Sequence, residues 1–133
     1  MDILKPQIKG YVVITDLKSG KVLFEGSNTT TGDALEITAR SLSNLNSAPA
    51  IDLIRAIGSG FSVDKAIATA TYNSGENSMN FSAIFLEADF DGTVTEARLA
   101  SSVLGLDFAI KTGLSVLKGA ASQLSIAWKI TLT

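Results

Sequence analysis

Four carboxylates gather along one short stretch of the chain: Glu87, Asp89 and Asp91, with Glu96 close behind. Carboxylates so spaced suit two chemistries. Several oxygens can surround Ca²⁺, or two carboxyl groups can flank a glycosidic bond as acid and nucleophile or base. The run Asp89-Phe90-Asp91-Gly92 lacks the later ligands of a calcium loop. A turn whose acidic side chains are simply solvated accounts for the same residues without any chemistry. The chain contains no histidine and no cysteine, which removes the commonest general base, the commonest zinc ligand, the thiolate nucleophile and every Ser-His-Asp arrangement. No catalytic, cofactor or metal residue is therefore assigned, and the chain is expected to be non-enzymatic.

Other candidate signals have plainer structural readings. Gly58-Ser59-Gly60 is not followed by Gly-Lys-Ser/Thr and opens no clear helix, so it reads as a loop rather than a phosphate cradle. Trp128 shares a strand face with Ile126 and Ile130, which makes it a core residue rather than a sugar-stacking platform. Glu96 and Arg98 lie two residues apart on one strand face. They fit an intrastrand ion pair and a subunit contact equally well.

The elements that position these residues are mostly strands. Ser78–Ser101 reads as two strands joined by a tight turn at Asp89-Phe90-Asp91-Gly92, a hairpin at the centre of the sheet. Met79, Phe81, Ala83 and Phe85 alternate along its first strand, with Phe81 and Phe85 as core anchors. Gly92 follows Asp91 at a turn position that often needs positive φ. Gln7–Leu17 and Val22–Glu25 form a second hairpin around Lys18-Ser19-Gly20-Lys21. Asp33 and Glu36 have capping-box spacing, and a single covering helix over about 32–45 would place Leu35, Thr38, Ala39 and Leu42 on one face. Ala50–Ile57 is assigned as a strand, Phe61–Ala68 as a loop or a short helix, and Ile67–Tyr72 as a strand. Leu104–Lys111 follows, with a brief pairing at Leu114–Leu117. Leu124–Thr133 is the cleanest strand, alternating Leu124, Ile126, Trp128, Ile130 and Leu132 with Ser125, Ala127, Lys129 and Thr131. The fold class expected is mainly β: one domain over 1–133, an antiparallel β-sandwich or open barrel of roughly seven to eight strands with one covering helix.

Composition narrows the function classes. A hydrophobic fraction of 46% against 18% charged residues, with mean hydropathy +0.30, points to subunit interfaces, the alternative being a monomer with a lean polar surface. No apolar run approaches the ~20 residues that span a bilayer. The net charge of −2, with eleven scattered basic residues, gives no electrostatic footprint for nucleic acid. The opening MDILKPQIKG has no apolar core of a secretory signal, so synthesis and assembly in a cytoplasm are expected.

The order of motifs resembles a domain that recurs in tailed-bacteriophage virion structural proteins, among tail, fibre, baseplate, neck and head-decoration components. That family opens with a hairpin followed by N-x-x-x-x-G-x-x-x-I/L-A, similar to Asn28 through Gly32 to Ala39. An apolar strand ending in G-x-G corresponds to Ile51–Gly60. An F-x-A-x-F strand followed by G-x-I/V-T/N-E-A/V corresponds to Phe81–Phe85 and Gly92–Ala97. A closing L-x-I/V-x-W-x-I/L corresponds to Leu124–Ile130. The resemblance runs from about Gln7 onward. It departs at Ile57–Ser62, which lacks the usual Thr/Pro-rich continuation, and in having no long extension after the domain, which favours a free-standing small virion protein.

What the resemblance implies is a structural or assembly role in a phage particle, as a head-decoration or neck/tail component acting through subunit interfaces. Its expected partners are other virion proteins and copies of itself, a trimer being one such form, with neither nucleic acid nor membrane. Its expected place is the virion, after synthesis in the bacterial host cytoplasm. A receptor- or glycan-binding module of a tail or fibre is the alternative, for which Phe61, Tyr72 and Phe90 are the loop aromatics available.

Overall fold

A computed structural model of the chain describes residues 8–30, Ala34 and residues 51–132. The described residues form ten strands: β1 (Ile8–Asp16), β2 (Val22–Thr30), β3 (Leu53–Gly58), β4 (Phe61–Ala66), β5 (Thr69–Asn73), β6 (Ser78–Phe85), β7 (Gly92–Ser101), β8 (Leu106–Lys111), β9 (Val116–Lys118) and β10 (Leu124–Leu132). The fold is mainly β, and every pairing is antiparallel.

The strands make two sheets that are not closed into a barrel. The first runs β5-β6-β10-β1-β2 and the second β2-β8-β7-β3-β4, with β9 also on β7. β2 joins them. Its first part pairs with β1 up to Gly10↔Asn28, while Thr29 and Thr30 pair with Ile110 and Ala109 of β8. The sequence reading ends this strand at Glu25, because Gly26-Ser27-Asn28 looks like a break. The register is instead kept by pairing partners on either side.

Period-two burial organises the core. On β10, Leu124, Ile126, Trp128 and Ile130 are buried and the residues between them only partly so. Phe81, Ala83 and Phe85 do the same on β6, and Val12 and Ile14 on β1. Ile54, Ala56, Val94, Ala97, Leu99 and Phe108 close the core from the second sheet. Trp128 is fully buried and its indole Nε1 donates to Asn28 Oδ1 at 2.9 Å. Gly10 makes room for this pair, since a Cβ there would overlap the Asn28 side chain.

Three expectations are corrected or left aside. Ser78–Ser101 is not a hairpin: β6 pairs with β10 and β5, whereas β7 pairs with β3, β8 and β9. Residues 86–91 are therefore an arch from one sheet to the other. Alternation and turn residues specify strand, turn and strand, but an arch and a hairpin share that local pattern. Second, Phe61–Ala66 is a strand and not a loop or helix, paired with β3 around Ser59-Gly60, with Gly60 at φ +84°. Its alternating burial is shallow because it lies at a sheet edge. Third, the helix expected over 32–45, with Asp33 as cap and Leu35 in the core, lies outside the described residues except for Ala34, which is helical and buried.

Candidate functional site

The carboxylates that the sequence brings together are dealt to separate partners in space. Asp89 turns back into the arch, where Oδ2 accepts from the backbone N–H of Leu86 at 2.6 Å and pairs with Lys65 Nζ of β4 at 2.8 Å. Partial burial works against the charged form of this carboxyl, but the Lys65 bond and the Leu86 N–H outweigh it and hold its pKa below the usual carboxylate value. The Glu87 side chain accepts from Gln123 Nε2. Asp91 is exposed. Glu96 lies beyond the arch, within β7, where it pairs with Arg98. Among the described residues no group of three acidic side chains could hold a metal ion.

The arch is fastened by a residue that no sequence signal marks. Lys118, at the end of β9, is fully buried. Its ammonium donates to the carbonyls of Glu87 at 2.9 Å, Phe90 at 2.5 Å and Gly119 at 3.3 Å, and lies 5.0 Å from the centre of the Phe90 ring. Phe90 in turn stacks on Phe61 of β4 at 4.4 Å and meets Phe85 edge-on at 5.8 Å. Phe90 is therefore a core residue and Phe61 a partly buried one. Of the three loop aromatics named for recognition, Tyr72 alone is exposed, at 61%. Gly92 leaves the arch with φ +154°, and a Cβ there would come within 3.1 Å of the Phe61 ring.

Glu96 and Arg98 belong to a polar cluster on the outer face of the second sheet. Arg98 Nε donates to Glu96 Oε2 at 2.6 Å, and its Nη1 to Asp107 Oδ2 of β8 at 2.7 Å. Arg55 of β3 stands directly opposite Arg98 in register. It binds Asp64 of β4 with two bonds, at 2.6 and 3.2 Å, and lies 3.6 Å from Asp107. Two facing guanidiniums would repel. The carboxylates of Asp64, Glu96 and Asp107 offset this, and they raise the pKa of Arg55, through Asp64 first, and of Arg98, through Glu96 first.

A bulge makes the arrangement possible. Ile57 pairs with Glu96 but Gly58 with Val94, so Thr95 is an extra residue. Its insertion lets Val94, Ala97 and Leu99 all face the core while Glu96 and Arg98 face out. The step from Val94 to Ala97 breaks period two in the sequence and is the signal for it. Arg55 and Asp107 carry a comparable signal, each a charge flanked by apolar residues in a strand, whereas Asp64 is followed by Lys65.

Beside this cluster, a cavity of about 320 Å³ is lined by Leu53, Arg55, Ser101, Ser102, Gly105 and Asp107 among others. Its charged groups are already paired with one another, and the Ser102 hydroxyl donates to Asp52 Oδ2. Arginine keeps its proton and offers neither base nor nucleophile. The cluster can fasten strands and present hydrogen-bonding groups to a partner.

The first sheet presents a different surface. The register lines up Ile84, Ser125, Thr15 and Val22 across its outer face, with Leu86 and Leu17 beyond them. Ile84, Leu86, Leu17 and Val22 are 41%, 46%, 41% and 46% exposed. Compared with known proteins, the chain matches no family model, no curated protein and no solved structure.

Proposed function

We propose that the chain is a non-enzymatic structural protein of a bacteriophage particle, a head-decoration or neck/tail component that assembles through subunit interfaces with copies of itself and with a larger virion protein. The observation that carries the proposal is the outer face of the first sheet, where Ile84, Leu86, Leu17 and Val22 stand exposed around the uncharged Ser125 and Thr15. Several large apolar side chains exposed on one sheet face are costly to leave in water and are expected at a contact surface. The motif order from Asn28 to Ile130 adds the phage context. A receptor- or glycan-binding role would draw on Tyr72 alone among the loop aromatics, which leaves assembly the better reading.

The test is localisation. Labelled antibody against the chain, imaged on intact phage particles by electron microscopy, should mark one defined part of the virion. Particles that lack the label while the protein accumulates free in the lysate would overturn the proposal.

A further inference from the structure

The two edges of the sheet system are treated differently. β4, at one end, carries Asp64 and Lys65, and both are engaged by side chains of the same molecule. Such charges keep an edge strand from pairing with another chain. β5, at the other end, is Thr69-Ala70-Thr71-Tyr72-Asn73, without charge, proline or bulge, and all of its residues are exposed. Among the described residues its outer edge is unpaired and presents backbone donors and acceptors with none of the usual protection.

Among the described residues β5 also lacks cover on its inner side. By register Ala70 and Tyr72 lie beside Phe81 and Met79, on the face that β6 turns to the core. The second sheet's β3 and β4 reach over β6, yet Tyr72 remains 61% exposed. β5 overhangs the sandwich, with one face and one edge both unoccupied among the described residues.

We infer that β5 pairs antiparallel with β5 of a second copy about a two-fold axis at Thr71, joining the first sheets of two molecules into one. The occupant follows from the strand's own sequence. In the centred register Thr71 faces Thr71 of the other copy, Ala70 faces Tyr72, and Thr69 faces Asn73. Small meets large on the inner face, hydrogen-bonding side chains meet on the outer face, and no like charges oppose each other. A two-fold contact is isologous and needs only this self-complementarity. The inference rests on the self-assembly part of the proposed function, to which it gives a strand, a register and a two-fold symmetry in place of a trimer.

The test uses the full chain, which has no cysteine of its own. Thr71→Cys should form a disulfide-linked dimer under mild oxidation, because directly opposed Cβ atoms lie about 5 Å apart. Thr69→Cys should not, since its two copies would be about 14 Å apart along the pair. Ser59→Cys, on the far hairpin, sets the background rate. Thr71→Lys should weaken dimerisation about fivefold in sedimentation equilibrium, with partial recovery in salt and full recovery on mixing with Thr71→Glu. Recovery on mixing shows that both variants are folded. A dimer that persists without Thr71→Cys cross-linking and is indifferent to Thr71→Lys would overturn the β5 contact and leave self-assembly standing. A monomer at tens of micromolar would overturn the contact and self-assembly together, with the virion assignment still decided by microscopy.

Discussion

Replacing Lys118 with methionine keeps the length and packing of the side chain and removes its charge and its donors. The native ammonium satisfies the carbonyls of Glu87 and Phe90 in the arch and that of Gly119 in the next turn. Hydrogen bonds from a charged donor are worth roughly 1.5–3 kcal/mol each, and a buried carbonyl left without a donor costs about 1–3 kcal/mol. The contact with the Phe90 ring adds about 1 kcal/mol. Against these stands the desolvation of the ammonium in the native protein, several kcal/mol, which methionine avoids. The balance is a loss of about 2–4 kcal/mol. In urea titrations with a slope of about 1.5 kcal/mol/M, the midpoint should fall by roughly 1.5–2.5 M with the slope unchanged. Hydrogen exchange should quicken first at the Asp89 amide, which bonds to the Leu86 carbonyl within the arch. A Lys118→Met protein as stable as the parent, with unaltered exchange in the arch, would refute the view that Lys118 fastens the crossing between sheets.

Two further changes probe the same region. Asp89→Asn should cost on the order of 1 kcal/mol at neutral pH by weakening the bonds to Lys65 and the Leu86 N–H. Because the folded carboxyl has a depressed pKa, its contribution is present above the unfolded value of about 3.9 and is lost as pH falls through the folded value. Urea midpoints of parent and variant should therefore converge below about pH 4 and stay apart at pH 7. Gly92→Ala should destabilise by about 1–3 kcal/mol, since φ +154° excludes most side chains and Phe61 leaves the new methyl little room; thermal melting of the purified variant checks this.

Much of the strand content is legible residue by residue. The alternation of Leu124, Ile126, Trp128 and Ile130 with partly exposed neighbours is a local property, because successive side chains of any strand point to opposite faces. The same holds for Phe81, Ala83 and Phe85. β4 is less legible. Phe61-Ser62-Val63-Asp64-Lys65-Ala66 carries a weak alternation that needs β3 beside it before it is recognisable as a strand. The Arg55, Asp64, Arg98 and Asp107 cluster is legible only in part, since each charge is visible in its own strand while their meeting depends on which strands are neighbours.

The sequence alone determined the absence of histidine and cysteine, the mainly β character, and the positions whose side chains must turn inward. These follow from residue type and from the two-residue period of a strand. The tertiary structure decided where the chain goes after the acidic turn. Hairpin and arch begin with the same residues. The choice between them lies in which strands already occupy the edges of β6 and β7, and in a buried lysine contributed from β9. That choice disperses Glu87, Asp89 and Glu96 to different partners, buries Phe90, and leaves β5 as an uncharged edge. Each depends on backbone pairings between residues far apart in the chain, which no local pattern encodes.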